Sequence, residues 1–187
     1  TVTSIFCTLT RGKSLTIFNQ LADVPDILRG SFDSKSKVDV IKMTPAHILV
    51  LENLGIKTDK IKKAIVGGEE LTTRHVEILQ SINPNMEIVN EYGPTEATVG
   101  CVIKDVIVPN DALTIGKPID NAELFILDSN LQPLPPGVAG RLFIGGGGLA
   151  RGYHNRTDLT SEKFQILTVN GDPMRLYDSG DLARHRL

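Results

Sequence analysis

The stretch from Val38 to Asn90 reads VDVIKMTPAHILVLENLGIKTDKIKKAIVGGEELTTRHVEILQSINPNMEIVN, and its alternation of short apolar runs with amphipathic segments sets the fold class. Val38–Met43 is a strand. Thr44-Pro45 follows as N-cap and first-turn residue, and Ile48, Leu49 and Leu51 form the apolar face of a helix. Ala64–Val66 is the next strand, ending in Gly67-Gly68. Thr72–Ile82 is a helix with Val76, Ile78, Leu79 and Ile82 inward, stopped by Asn83-Pro84, and Glu87–Asn90 is a third strand. A β-α-β-α-β order calls for a parallel sheet with right-handed crossovers.

On the N-terminal side, Val2, Ile5, Phe6 and Leu9 recur at helical spacing up to Gly12. Ser14–Phe18 reads as a short strand, and Leu21–Arg29 as a helix closed by Gly30. On the C-terminal side the character changes near Pro109-Asn110. Ala122–Leu127 and Arg141–Ile144 are strand-like and joined through Asp128-Ser129-Asn130 and the breaker-rich 133–140, which predicts antiparallel hairpins. The expected organisation is therefore an α/β subdomain over 1–108 and a smaller β-rich one over 109–187. The chain opens at Thr1 without Met and stops at Leu187 after a polar stretch, so it reads as a piece of a longer protein.

Composition narrows the function classes. In 187 residues, 20 Lys+Arg face 22 Asp+Glu, a formal net charge of −2, with 41% hydrophobic residues. Near-balanced charge gives no electrostatic footing for nucleic acid or a membrane surface. No apolar run approaches the ~20 residues of a membrane helix, and no leader is visible. Cys7 and Cys101 are too few for a disulfide scaffold or zinc site and read as buried small hydrophobes. The four histidines are scattered and read as surface or helix-face residues. A cytoplasmic globular protein is expected.

In a parallel α/β sheet, ligands bind beyond the carboxyl ends of the strands. Three such ends hold Lys42, Gly67-Gly68-Glu69-Glu70, and Asn90-Glu91-Tyr92-Gly93-Pro94-Thr95-Glu96. Tyr92 suits stacking on a flat heterocycle, Thr95 a phosphate oxygen and Glu96 a Mg²⁺ ion. Each run taken singly also reads as a turn with a helix cap. The run Gly145–Gly148 lacks the Lys-Ser/Thr of a phosphate loop and reads as a flexible bend. Tyr177-Asp178-Ser179-Gly180-Asp181-Leu182 is a turn, or a carboxylate placed for a ribose.

The run Asn90–Glu96 resembles the nucleotide-binding core motif of the AMP-forming adenylation domains of nonribosomal peptide synthetases. The segment from Gly145 through Tyr153, with Arg156 and Leu159-Thr160, resembles the next motif, and Tyr177–Leu182 the one after that. Arg141 stands where these domains usually have Glu, Thr157 where they have Pro, and Ser179 where Thr is usual. The resemblance implies an α/β fold: a parallel-sheet βαβ (flavodoxin-like) subdomain followed by a smaller β-rich one, both within a larger adenylate-forming N-terminal domain. It implies ATP or AMP as nucleotide, Mg²⁺, and phosphopantetheine on a partner peptidyl carrier protein. A condensation domain of the same synthetase is a further partner; nucleic acid and membrane are not. Gly68 and Glu69 would line the adenine pocket, Asn90 would bond the adenine amino group and Tyr92 would pack on the ring. Thr95 would touch the α-phosphate, Glu96 would ligate Mg²⁺, and Asp181 would hold both ribose hydroxyls. The family's phosphate loop and catalytic Lys would lie outside this piece, which is then expected to be inactive alone.

The same resemblance places the substrate side-chain pocket on Thr3, Lys42, Ile65, Gly67, Glu91, Val99 and Gly100. A hydroxyl, an ammonium and a carboxylate are costly to bury beside an apolar side chain. A carboxamide satisfies both charges, its oxygen accepting from Lys42 or Thr3 while its NH₂ donates to Glu91. The combination also resembles the family's asparagine-selecting pattern. L-Asparagine is therefore expected, aspartate second and glutamine third. Three alternatives stay open: Lys42 and Glu91 pairing with each other beside an apolar slot, an acyl- or aryl-CoA ligase, and a non-catalytic nucleotide-binding or carrier-docking module.

Overall fold

The structure, a computed structural model, describes residues 2–19, 22–169 and 171–186. Two compact units emerge. One comprises the chain up to Tyr92 together with Val102–Lys117, the other Gly93–Cys101 together with the chain from Pro118 onward. Where the sequence suggested one change of character after residue 108, the chain passes between the units three times.

In the first unit, α1 (Val2–Thr10) and α2 (Val24–Phe32) precede β1 (Val40–Met43), α3 (Pro45–Leu54), β2 (Lys63–Gly67), α4 (Thr73–Ile82) and β3 (Glu87–Tyr92). β4 (Val102–Val106) and the two-residue β5 (Lys117–Pro118) complete a five-stranded sheet in the order β1-β2-β3-β4-β5. The pairs β1–β2 and β2–β3 are parallel, as the β-α-β-α-β order requires. β4 runs antiparallel to β3, an addition that the sequence pattern does not announce. One sheet face packs Met43, Ala64, Val66 and Ile88 against Ile48 and Leu51 of α3 and Val76, Leu79 and Ile82 of α4.

Both helices begin alike. Thr44 N–H donates to His47 Nδ1 and Thr72 N–H to His75 Nδ1, each at 3.1 Å. An imidazole three residues on thus does what Glu or Gln does in a capping box. α3 ends at Gly55, whose φ of 61° is left-handed.

Two local expectations need correction. Ser14–Phe18 forms no strand: Ile17 is 83% exposed and no ladder pairs it. The second helix runs Val24–Phe32 rather than stopping before Gly30, because Leu28, Ser31 and Phe32 are buried and outweigh the glycine's weak helix preference. Leu21, where that helix was expected to start, lies outside the described residues. Asp23 Oδ1 caps the true start by accepting from Asp26 N–H at 2.8 Å.

The second unit is built on β6 (Ala122–Leu127), β7 (Gly140–Gly146), β8 (Phe164–Val169) and β9 (Asp172–Ala183), with α5 (Thr157–Lys163) before β8. The sheet order is β6-β7-β9-β8, each neighbouring pair antiparallel. Its buried cluster joins Leu127, Phe143, Val169 and Leu176. Gly145 and Gly146, expected in a flexible bend, instead continue β7 and pair with Glu123 and Ala122. Cys101 is buried as expected, whereas Cys7 is exposed. Among the described residues, no helix is long and apolar enough to cross a membrane.

Candidate functional site

Parallel pairing brings the ends of β1, β2 and β3 to one sheet edge in the first unit. Lys42 stands opposite Ile65, Val66 opposite Asn90 and Gly67 opposite Glu91. Successive strand residues face opposite sides, so Lys42, Ile65, Gly67 and Glu91 share the face away from α3 and α4. There Thr3 Oγ1 donates to Glu91 Oε1 at 2.8 Å, Lys42 Nζ donates to Thr3 Oγ1 at 3.0 Å, and Lys42 pairs with Glu91 Oε2. The Lys42 and Glu91 side chains are only 16% and 7% exposed. They close on one another. Gly67 is obligatory here, since a Cβ on it would lie 2.4 Å from the Glu91 carbonyl oxygen.

Asn90 and Tyr92 occupy the other face of the same strand, so neighbouring residues serve separate surroundings. Asn90 is buried, and its Nδ2 donates to the Thr114 carbonyl at 3.0 Å. That bond fixes the orientation of the amide. Just past β2, Gly68 has a φ of 92°, in the left-handed region, and a Cβ added to it would meet the Thr44 methyl at 3.6 Å. Glu69 has a contact that the sequence did not reveal: its Oε2 accepts from Ala46 N–H in the first turn of α3 at 3.3 Å.

The second unit holds Thr95, Glu96, Val99, Gly100 and Asp181. Thr95–Ala97 is a single 3-10 turn. Thr98 and Val99 follow with φ of 59° and 70°, consecutive β-branched residues in left-handed backbone. Such residues cost about 1–3 kcal/mol each and persist where their surroundings over-determine them, often at functional sites. Here Val99 N–H donates to Pro94 O at 3.1 Å, and Thr98 Oγ1 donates to Gly148 O. Gly93 closes the loop, because a Cβ there would fall 1.6 Å from Val99 O.

Glu96 is tied twice to the glycine-rich run. Its carbonyl accepts from Ala150 N–H at 2.7 Å and its Oε1 from the Tyr153 hydroxyl at 2.6 Å. Loss of water around the Tyr153 phenol, with the Glu96 bond added, pushes its pKa well above the usual tyrosine range. Burial likewise raises that of Tyr177. Among the described residues no three His, Cys, Asp or Glu side chains cluster as a metal cage. A lone carboxylate suits Mg²⁺, which typically takes one or two carboxylates together with substrate phosphates and water.

Asp181 is exposed on β9. Phe143 pairs with Asp178 while Arg141 pairs with Leu182, so β9 carries extra residues over 179–181, a bulge that aims Asp181 off the ladder. Ser179 Oγ shapes the bulge, donating to Leu142 O at 2.7 Å and accepting from Asp181 N–H at 3.1 Å. Buried Asp178 accepts from Gly180 N–H at 3.1 Å and pairs with Arg141. An open hollow of about 630 Å³ in this unit is lined by Thr98, Asp120, Asn121, Glu123 and Gly148, among others. Its two carboxylates make it a poor host for phosphate by themselves.

Sequence reasoning missed Tyr153 as the partner of Glu96 and Asp178 as the partner of Arg141. The two pairs lie 57 and 37 residues apart along the chain.

The AMP-binding enzyme family matches residues 1–154. Bacitracin synthase 3 of Bacillus licheniformis is 40% identical across 100% of this chain, and tyrocidine synthase 3 of Brevibacillus parabrevis is 39% identical across 98%. The chain spans only 3% of the length of each of those relatives. Among solved structures, PA1221, a nonribosomal peptide synthetase protein containing adenylation and PCP domains, aligns with a TM-score of 0.87 and 29% identity. That match covers 98% of this chain and 38% of PA1221. The N-terminal subdomain of Klebsiella oxytoca NpsA aligns at 0.83 with 24% identity, a likeness of fold.

Proposed function

This chain belongs to the AMP-binding enzyme family as part of an adenylation domain of nonribosomal peptide synthetase type, and we propose that the protein carrying it activates L-asparagine with ATP. In the proposed reaction the amino-acid carboxylate attacks the α-phosphorus. A carboxylate O–P bond forms, the bond to pyrophosphate breaks, and aminoacyl-AMP results. The aminoacyl group then passes to a phosphopantetheine thiol on a carrier protein, with AMP leaving. Relatives and solved neighbours named for synthetases and for PCP domains support this partner.

The residue roles follow. Asn90 and Tyr92, with Gly68 and Glu69, receive adenine, and Asp181 takes the ribose diol through a carboxylate that can accept from two hydroxyls. Thr95 meets the α-phosphate and Glu96 holds Mg²⁺. When bound, Mg²⁺ offsets phosphate charge. Catalysis then rests on positioning and preorganised charge rather than on a covalent step with the protein.

The observation that carries asparagine is the Lys42–Thr3–Glu91 triad, with Ile65 and Gly67 on the same sheet face. An ammonium has three N–H groups and a carboxylate about four lone pairs, so the contacts within the triad leave both charged groups capacity for a ligand. The pair is neutral as a unit. A carboxamide bonds both members and keeps that balance, whereas aspartate adds a second carboxylate beside Glu91. Amino-acid-dependent ATP–pyrophosphate exchange with the full-length protein tests this. Asparagine should give the highest kcat/KM, and Glu91→Gln should narrow its margin over aspartate. Faster exchange with leucine or phenylalanine than with asparagine would overturn the pocket reading.

A further inference from the structure

We propose that Tyr153 is a positioning residue for the Glu96 carboxylate, holding it in one orientation before the divalent cation arrives. This rests on the reading that Glu96 is the metal ligand. Glu96 stands in a one-turn 3-10 segment, and a glutamate there has three side-chain torsions to order on binding. Two bonds from the glycine-rich run restrain it: Ala150 N–H on its carbonyl and the Tyr153 hydroxyl on Oε1. One carboxylate oxygen is committed to the phenol, and the orientation of the other follows.

The phenol can serve only if it is itself fixed, and its residue is held by a backbone bond and a ring contact. Tyr153 N–H donates to Thr160 Oγ1 at 2.9 Å, and that hydroxyl in turn donates to Arg156 O at 2.8 Å within the start of α5. The ring stands edge-on to Phe164, with centroids 5.7 Å apart, and Phe164 packs on Tyr177 at 5.0 Å. Gly152 lets the backbone approach α5, since a Cβ there would sit 2.4 Å from Thr160 Cγ2, and its φ of 145° disfavours a side chain. The Gly-Tyr pair and Thr160 therefore act as one support whose outermost atom is the Tyr153 oxygen.

Outer partners that orient a metal-binding group typically change metal affinity 10- to 100-fold when removed. Mn²⁺ binding to the full-length protein with saturating ATP, read from the free-ion EPR signal, tests the assignment without relying on turnover. Tyr153→Phe keeps the ring on Phe164 and removes only the hydroxyl. It should weaken Mn²⁺ by about 10-fold and leave asparagine binding without nucleotide unchanged. Glu96→Gln should weaken Mn²⁺ more, and the double variant no further than Glu96→Gln. Unchanged Mn²⁺ affinity in Tyr153→Phe beside a weakened Glu96→Gln would overturn the role of Tyr153 alone. Unchanged affinity in Glu96→Gln would overturn the metal reading and this proposal with it. If Tyr153→Phe does not fold, Thr160→Val, which removes the bond on Tyr153 N–H and keeps the phenol, takes its place. Weakened Mn²⁺ binding then supports the positioning role, and affinity within about twofold of the parent beside a weakened Glu96→Gln counts against it.

Discussion

Each sheet carries a carboxylate withdrawn from water, Glu91 on β3 and Asp178 on β9, and the two are neutralised differently. Glu91 meets Lys42, which is itself mostly buried, and shares Thr3 with it, so cation, anion and hydroxyl form one enclosed set. Asp178 is 3% exposed, but its partner Arg141 is 48% exposed and lies over the Phe143 ring at 5.6 Å. A backbone amide, Gly180 N–H, supplies the rest. With both charges out of water, losing either partner strands the other. With one charge half in water, solvent and backbone soften the loss. Arg141 thus supplies the cation for the buried Asp178 from a neighbouring position on β7.

The contrast is tested most severely by Lys42→Met, which leaves Glu91 buried without its cation. We expect a loss of about 3 kcal/mol in urea unfolding of the intact adenylation domain. The double variant Lys42→Met with Glu91→Leu should recover much of it, since an apolar pair of similar volume avoids the stranded charge. No recovery would mean that the triad is not a charge-compensated unit. Arg141→Ala should cost less, about 1 kcal/mol, because Asp178 keeps its amide donor and water reaches the vacated side. A cost equal to that of Lys42→Met would erase the distinction between the two sheets.

The smallest effect is expected at a third carboxylate that depends on amides more than on a cation. Asp111 Oδ2 accepts from Ile107 and Val108 N–H at 3.0 and 3.1 Å, and these bonds hold its pKa below the usual value of 3.8. A carboxylate with a lowered folded pKa contributes stability above its unfolded pKa and loses it as pH falls through the folded value. Asp111→Asn should therefore change the melting temperature least at pH 7. The gap between parent and variant should shrink only below about pH 4. A gap that is constant from pH 7 to pH 2.5 would show that ionisation of Asp111 plays no part.

Legibility followed the range of the interaction concerned. The βαβ core was readable because Ile48, Leu51, Val76 and Leu79 repeat at helical spacing and parallel crossovers leave few topologies. The histidines were readable only as helix-face residues, although His47 and His75 act through bonds three residues back. Ser14–Phe18 has a strand's composition and no partner, and β4 has a partner that no local pattern announces.

Periodicity and turn chemistry within some ten residues were enough to establish the order of elements and the strand ends that gather polar side chains. They also drew attention to the run from Asn90 to Glu96, whereas Asp181 stood out only through the family resemblance. Tertiary packing was needed to show that Lys42 closes on Glu91 through Thr3, that Tyr153 reaches Glu96 and that Arg141 covers Asp178. Those pairs are 49, 57 and 37 residues apart. Which distant side chains meet is set by strand register and by where a bulge falls, and a one-residue slip would turn each of them to the opposite face.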